Sequence, residues 1–278
     1  MPQNPRSLRN RSRKVRKIPR HLYELARYRL GVWLGIRDPL YPPHSLHSVG
    51  RGSYFSVGDE FFGHFVTLAG LKPGDKVLDV GCGTGRLARP LVKYLTTGSY
   101  DGFDIVSHSI KWCQKTYTPR HPNFHFHFTD CYNKMYNPQG KSNARDYRFP
   151  FATSSFDFAF LASVFTHMLP DDLENYLSEI ARALKPGGKC LITYFLLNSE
   201  STALLQAGSS SLNFQYELTG CRTIDANVPE EAVAYQEDAI RALYQKHGLK
   251  ILESIRHGKW SGRKDGLSYQ DIVIASRT

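Results

Sequence analysis

Residues 76–87 read KVLDVGCGTGRL, an apolar run that breaks into three alternate glycines before a helical pattern resumes. The run predicts a buried strand, a tight turn and the beginning of a helix. Glycine permits positive φ values and lets the backbone approach a ligand closely, because it has no Cβ atom. The spacing of Gly81, Gly83 and Gly85 is G-x-G-x-G, which differs from the G-x-G-x-x-G of dinucleotide-binding turns.

Acidic residues accompany this turn and the ends of the next two predicted strands. Asp79 precedes the first glycine by two residues, where it would repel a pyrophosphate and attract a cationic group. Asp104 and Asp130 end the following strands, where carboxylates accept hydrogen bonds from ribose hydroxyls and an adenine amino group respectively. Any one of these acids is equally well explained as a helix N-cap. Together they match S-adenosylmethionine and disfavour an NAD-dependent dehydrogenase.

Strand and helix patterns alternate along most of the chain. The apolar strands predict parallel βαβ units covered on both faces, and residues 249–276 predict a closing antiparallel hairpin. Residues 196–228 have no clear period, and residues 230–247 predict a helix that Gly248 caps in the left-handed conformation. The predicted strands are 76–81, 100–104, 123–129, 156–162 and 188–195, and the predicted helices between them are 85–96, 107–116 and 171–184.

Over residues 70–195 the sequence resembles the class I S-adenosylmethionine-dependent methyltransferases. VLDVGCGTG is similar to the first motif of that family, FPFATSSFDFAF (149–160) to its fourth-strand segment, and EIARALKPGGKCLIT (179–193) to the approach to its fifth strand. The resemblance implies an α/β fold: a doubly wound, Rossmann-like, seven-stranded and mostly parallel sheet with an antiparallel C-terminal hairpin. It implies S-adenosyl-L-methionine as the cofactor.

We therefore predict a donor site and one candidate base. Asp79 and the glycines would hold the methionine part of the donor, Asp104 its ribose and Asp130 its adenine. His167 follows the fourth strand and is the candidate general base, although a packing or capping role explains it at least as well. The full predicted cofactor-binding set is Asp79, Gly81, Cys82, Gly83, Thr84, Gly85, Asp104, Ile105, Asp130, Cys131 and Ser163.

Charge is concentrated at the N-terminus. Residues 1–37 contain eleven Lys or Arg and one acid, so they carry +10 of the total net charge of +11. We expect a basic, flexible tail at 1–20, an N-terminal helix and an entry or lid segment at 21–69, and a methyltransferase domain at 70–278 with an insertion at 196–228. Residues 1–37 suit either an anionic membrane surface or self-association. Nucleic acid is not the expected partner, because the remaining chain is almost neutral.

The five cysteines are scattered without a C-x-x-C pair, which indicates free thiols in a reducing cytoplasm. His125 and His127 share one strand face, but no further ligands with recognisable spacing accompany them, so no metal is predicted.

The predicted function is methyl transfer to a small-molecule acceptor, on oxygen in preference to nitrogen. Two alternatives stay open at this point. One is an RNA methyltransferase that the basic tail recruits to its substrate. The other is a non-catalytic protein that binds S-adenosylmethionine.

Overall fold

The computed structural model describes residues 20–46 and 52–278. The predicted tail at 1–20 therefore lies outside the described residues, except for its last residue. Chain contacts divide the protein into two units, residues 1–47 and residues 48–278. The first unit contains helix α1, Arg20–Trp33. Within the described residues, none of the helices combines the length and the apolar character that crossing a bilayer requires. The predicted division at residue 69 stays a prediction.

The second unit alternates strands and helices. Its helices are α2 Tyr54–Thr67, α3 Ala88–Tyr94, α4 Ser107–Thr116, α5 Pro170–Ala183, α6 Ser199–Gln206 and α7 Glu237–Lys246. Its strands are β1 Lys76–Val80, β2 Ser99–Asp104, β3 Phe124–Phe128, β4 Phe156–Leu161, β5 Leu184–Tyr194, β6 Leu196–Leu197, β7 Tyr216–Leu218, β8 Cys221–Thr223, β9 Val233–Gln236, β10 Leu249–Ile251 and β11 Asp271–Arg277.

Seven strands form the main sheet in the order β10-β11-β5-β4-β1-β2-β3. Strands β1 to β5 pair in parallel, whereas β11 is antiparallel to both β5 and β10. Helices cover both faces, so the strands are buried on both sides and their sequences are largely apolar. The predicted fold class and the predicted antiparallel C-terminal pair are confirmed.

Helix α5 shows why one face of the sheet is covered. It begins with Pro170 and has Asp171 and Asp172 in its first turn, which suits the start of a helix. Leu173 and Leu177 follow at a spacing of four and are fully buried in the main core. Helix α2 covers the other face of the sheet, where the ring of Phe65 stacks on Phe160 of β4 with the ring centroids 4.4 Å apart.

The region after β5 differs from its prediction. Residues 196–236 form a second, four-stranded sheet in the order β6-β9-β8-β7, and α6 follows β6. The helix predicted from residue 230 begins only at Glu237, because Val233 and Ala234 are buried and pair with β8. Long-range pairing overrides the local helical period there. Gly248 has φ +67°, so the predicted left-handed cap is confirmed.

Candidate functional site

The carboxyl ends of the parallel strands bring the predicted donor residues to one edge of the main sheet. Asp79 of β1 is paired with Gly102 of β2, and Asp104 at the end of β2 is paired with Phe128 at the end of β3. Asp130 follows β3 by two residues. In open parallel sheets, ligands bind outside this edge at the point where the strand order reverses. The order reverses here between β1 and β4.

The glycine turn has the conformation that its sequence predicts. Gly81, Gly83 and Gly85 have φ values of +84°, +52° and +74°. A Cβ atom at Gly81 would lie 2.2 Å from Cγ2 of Val164, far inside van der Waals contact. Glycine is therefore required at this position for its backbone angle and for the space it leaves.

Side chains from other elements hold the carbonyl groups of this turn. The Tyr54 hydroxyl donates to the Thr84 carbonyl oxygen at 2.8 Å, and the Tyr117 hydroxyl donates to the Gly85 carbonyl oxygen at 2.8 Å. The thiol of Cys113 contacts the Gly83 carbonyl oxygen at 3.6 Å. These contacts fix the backbone from behind.

Asp79 is the most deeply buried acid of the predicted set, with 2% of its surface exposed. Its Oδ2 accepts a hydrogen bond from the Tyr100 hydroxyl at 2.5 Å. Burial is the main cause that raises the pKa of Asp79 to about 8, with a smaller contribution from the charge of Asp104. No Lys or Arg of the described residues contributes to this shift, so the site offers a buried carboxyl without a cationic partner.

Asp104 connects the glycine turn to β2. Its Oδ2 accepts from the Gly83 N–H and its Oδ1 from the Val106 N–H, both at 2.7 Å. Burial raises the pKa of this carboxyl, and the backbone donors, the Ile105 N–H among them, oppose the shift. Each carboxylate oxygen has a second lone pair. Asp104 therefore retains acceptor capacity for a ligand.

Asp130 lies at the base of a loop rather than inside the sheet. It is half-buried, and the Asn137 amide lies 3.4 Å from its Oδ1. The same amide donates to the Cys131 carbonyl oxygen at 2.9 Å. The backbones of Cys131 and Ser142 form an isolated parallel β-bridge. The carboxylate of Asp130 is thus less committed to protein groups than that of Asp104.

Ser163 follows β4 in a left-handed conformation, with φ +58°. Its N–H donates to Oγ1 of Thr193 at 2.8 Å, and the Thr193 hydroxyl donates to Oε1 of Gln270 at 2.7 Å. The Ser163 hydroxyl donates to the same oxygen at 3.0 Å. Because Oε1 accepts both hydroxyl protons, the Gln270 amide nitrogen is turned away from this pair.

His167 is fixed in one neutral tautomer. Its Nδ1 lies 2.8 Å from the carbonyl oxygen of Glu230, and a carbonyl oxygen only accepts, so Nδ1 carries the proton. Nε2 is then the basic nitrogen. Burial lowers the pKa of the imidazole, which two backbone contacts partly offset. The ring of Tyr136 meets it edge to face at 5.5 Å.

The histidine pair on β3 is engaged in part with a carboxylate. His127 Nε2 lies 2.9 Å from Oδ1 of Asp101. Within residues 20–46 and 52–278 no cluster of three or more His, Cys, Asp or Glu has the geometry of a metal site. That the protein uses no metal stays a prediction.

A family model described as a methyltransferase domain matches residues 56–254, which is more than half of the chain. The chain belongs to the class I S-adenosylmethionine-dependent methyltransferases. S-adenosylmethionine is the cofactor of these enzymes.

Individual relatives match shorter parts of this methyltransferase. An O-methyltransferase of Pyrenophora dematioidea is 30% identical over 46% of this chain and 42% of its own length. Another from Aspergillus nomiae is 33% identical over 45% of this chain and 49% of its own length. The chain thus spans less than half the length of these curated relatives.

A solved structure of a magnesium protoporphyrin IX methyltransferase from Synechocystis, with bound S-adenosylhomocysteine, superposes with a TM-score of 0.52. It is 16% identical and covers 84% of this chain and 92% of its own. At this identity the likeness concerns the fold alone, and it agrees with the strand order of this methyltransferase.

The donor set of this methyltransferase fits its cofactor. S-adenosylmethionine has a cationic amino-acid end, two ribose hydroxyls and an adenine. Asp79 is a buried carboxyl whose pKa no Lys or Arg of the described residues lowers, so it suits the cationic end. Asp104 accepts from the Gly83 N–H of the glycine turn and retains lone pairs for the ribose hydroxyls. Asp79 and Asp104 belong to two adjacent strands and Asp130 follows the third. That these acids take the three parts of the ligand in this order stays a prediction.

Some residues that shape this site were not predicted. Tyr100, Tyr117, Thr193 and Gln270 lie far apart in sequence and meet only in the fold. Tyr100 had one local signal: Gly102 lies on the same face of β2 and leaves room for its hydroxyl, since a Cβ there would lie 2.6 Å from it.

Proposed function

We propose that this protein transfers a methyl group from S-adenosylmethionine to an oxygen atom of a small hydroxylated molecule. The observation that carries the proposal is the tautomer of His167, in which Nδ1 donates to the Glu230 carbonyl oxygen and Nε2 is the unprotonated, basic nitrogen. Methylation of a hydroxyl needs a base, whereas many other acceptors do not. The relatives named O-methyltransferases support oxygen as the target.

Bound S-adenosylmethionine supplies an electrophilic methyl group on a good leaving group. The chain then has to bind, orient and exclude water. In this proposal Asp79 binds the cationic amino-acid end, and the backbone of the glycine turn lies against it. Asp104 accepts from the ribose hydroxyls and Asp130 from the adenine amino group. Cys82, Thr84, Ile105, Cys131 and Ser163 complete the proposed donor site.

His167 acts on the acceptor in this proposal. Its Nε2 accepts the hydroxyl proton, and the Glu230 carbonyl oxygen, as acceptor from Nδ1, stabilises the imidazolium that forms. The lowered pKa keeps the ring neutral before the reaction. Nε2 is therefore unprotonated and able to accept the hydroxyl proton.

Binding comes first in the test. The full chain is titrated with S-adenosylhomocysteine and separately with NAD, by calorimetry and thermal melting. Selective stabilisation by S-adenosylhomocysteine is expected, with a gain of roughly 2.7 kcal/mol at about 100 times the dissociation constant. Stabilisation by NAD instead would contradict the proposed donor site.

Activity is then measured as formation of S-adenosylhomocysteine with pools of phenols, alcohols, carboxylic acids, amines and bulk RNA. His167→Gln is expected to lower kcat by about 10²–10⁴-fold on a hydroxylated acceptor, with S-adenosylhomocysteine affinity unchanged. His125→Gln, at an exposed position on β3, is the matched control. Turnover of RNA or amines alone, or full activity of His167→Gln, would overturn the proposal.

A further inference from the structure

Helix α1 presents an uncovered apolar stripe. Tyr23, Leu30 and Trp33 fall within about a third of the helix circumference, and so does Leu34, which directly follows the helix and whose N–H still donates to the Leu30 carbonyl oxygen. Their exposed fractions are 60%, 54%, 80% and 51%, and Ile36 just beyond the helix is 80% exposed. Single exposed apolar residues are ordinary, whereas a contiguous stripe of this kind marks an interaction surface. We call these five residues the α1 stripe.

Arginines border the α1 stripe on both sides. Arg27 lies at one edge of the α1 stripe and Arg29 at the other, and both side chains are exposed. Neither forms an ion pair with another residue of the described chain. An aromatic and aliphatic centre between cationic edges is the pattern of a helix that lies in a membrane interface, with the arginines at the level of the lipid headgroups.

The opposite side of α1 is held by its own unit. The Tyr28 hydroxyl donates to the Pro39 carbonyl oxygen at 3.3 Å. The Arg37 guanidinium lies over the rings of Tyr28 and Tyr41, at 4.9 and 4.7 Å from their centroids. Gly35, with φ +70°, ends the helix and allows the chain to turn back. Arg37, Pro39 and Tyr41 therefore pack on the Tyr28 side of the helix, and the residues of the α1 stripe stay exposed.

The charge of the surrounding sequence selects the occupant. Residues 1–37 carry +10, whereas the rest of the chain carries +1. A cationic segment next to an apolar stripe is attracted to anionic lipid, and apolar insertion then adds affinity that salt does not screen. A nucleic acid would use the positive charge but would leave the aliphatic residues Leu30, Leu34 and Ile36 without a role.

We propose that α1 and the residues before it bind the surface of an anionic membrane, with the α1 stripe inserted among the lipid headgroups. The unit would bring the methyltransferase to the membrane surface without spanning the bilayer. Trp33 and Tyr23 are suited to this depth, because their rings are apolar and their N–H and O–H groups reach polar partners.

The full chain is tested by sedimentation with vesicles of equal parts phosphatidylglycerol and phosphatidylcholine, and with vesicles of phosphatidylcholine alone. We expect at least about tenfold tighter binding to the anionic vesicles, weakened between about 0.1 and 0.5 M salt but not abolished. Tryptophan emission should shift to shorter wavelength on binding, because Trp33 is exposed while Trp112 is partly buried and Trp260 fully buried. Equal binding to both vesicles, or none to either, would overturn the proposal.

The double variant Leu30→Ser/Ile36→Ser keeps every charge and the Trp33 reporter. It is expected to bind anionic vesicles about tenfold or more weakly, with unchanged melting and an unchanged response to S-adenosylhomocysteine. Leu267→Ser, at a residue 47% exposed elsewhere on the chain, is the matched control and should bind like the parent.

Two further outcomes would count against a lipid surface. If the parent chain forms dimers without lipid and the double variant does not, the α1 stripe is a self-association face. If the double variant binds vesicles like the parent and bulk RNA displaces both, the basic charge alone acts and the stripe has no part in it.

Discussion

The hydroxyl of Tyr100 donates to Oδ2 of Asp79 across two adjacent strands, at 2.5 Å. Tyr100 is itself fixed, because its ring stacks on Phe124 with the centroids 5.0 Å apart. The phenol supplies one neutral donor to a carboxyl that burial keeps from ionising easily. Asp79 is therefore held in place without being neutralised by a protein cation.

Replacing this acid should change how stability depends on pH. The folded-state pKa of Asp79, about 8, is raised above the usual 3.8. Between about pH 4 and 8 the folded state thus binds more protons than the unfolded state, and stability falls as pH rises. Asp79→Asn is expected to be more stable than the parent above pH 8 by on the order of 1–3 kcal/mol, and to lose that advantage near pH 4. Urea unfolding of the ligand-free protein at both pH values measures this. The exposed Asp146→Asn is the control, and a pH-independent difference for Asp79→Asn would refute the prediction.

Donor binding should release a proton near neutral pH. If the cationic end of the ligand lies against Asp79, the carboxyl must ionise on binding, so affinity for S-adenosylhomocysteine should rise between pH 6 and about 8. Calorimetry in two buffers of different ionisation enthalpy counts the released proton. Asp79→Asn should bind at least about tenfold more weakly and release none. Equal proton release by the parent and the variant would place the ammonium group elsewhere.

A side chain at Gly81 should damage the turn in two separable ways. Gly81→Ala adds a Cβ atom 2.2 Å from Val164 Cγ2 at a φ of +84°, and we expect a loss of about 2–5 kcal/mol in the free energy of unfolding. The double variant Gly81→Ala/Val164→Ala removes the clash but keeps the backbone strain. Its stability should therefore exceed the value expected from adding the two single changes. Strict additivity would show that Val164 does not confine the turn.

The hydroxyl of Thr193 should be needed to hold Ser163 and Gln270 together. Thr193→Val keeps the shape but leaves the Ser163 N–H without its acceptor, at an expected cost of about 1–3 kcal/mol. Gln270→Leu should cost less once Thr193→Val is present, because the two changes remove one shared network. A double-mutant cycle by chemical unfolding measures the coupling. No coupling would mean that Gln270 does not depend on Thr193.

The pH profile of the proposed reaction should reflect the lowered pKa of His167. The neutral imidazole is the reactive form, so kcat on a hydroxylated acceptor should rise with pH through a value below 6.5 and be level by neutral pH. His167→Gln should remove this step and keep only the residual rate. A step that persists unchanged in His167→Gln would assign the base to another residue.

Local sequence patterns predicted most of the helices and strands of the main sheet. The helix 107–116 was predicted with the bounds that α4 has, and the strand ends at Asp104 and near Asp130 fall where the alternation placed them. The second sheet was missed because β7, β8 and β9 have three or four residues each. Strands that short have too few residues for a period and are stable only through pairing with one another.

The sequence by itself determined the parallel sheet, the glycine turn and the succession of acids, because strand alternation, positive φ at glycine and the position of a residue after a strand are local properties. Only the tertiary structure decided which groups meet those residues. The Tyr100 hydroxyl on Asp79, the Glu230 carbonyl on His167 and the amide of Gln270 on Ser163 join residues 21, 63 and 107 positions apart. Such hydrogen bonds depend on the packing of whole elements, and that packing sets burial, tautomer and pKa.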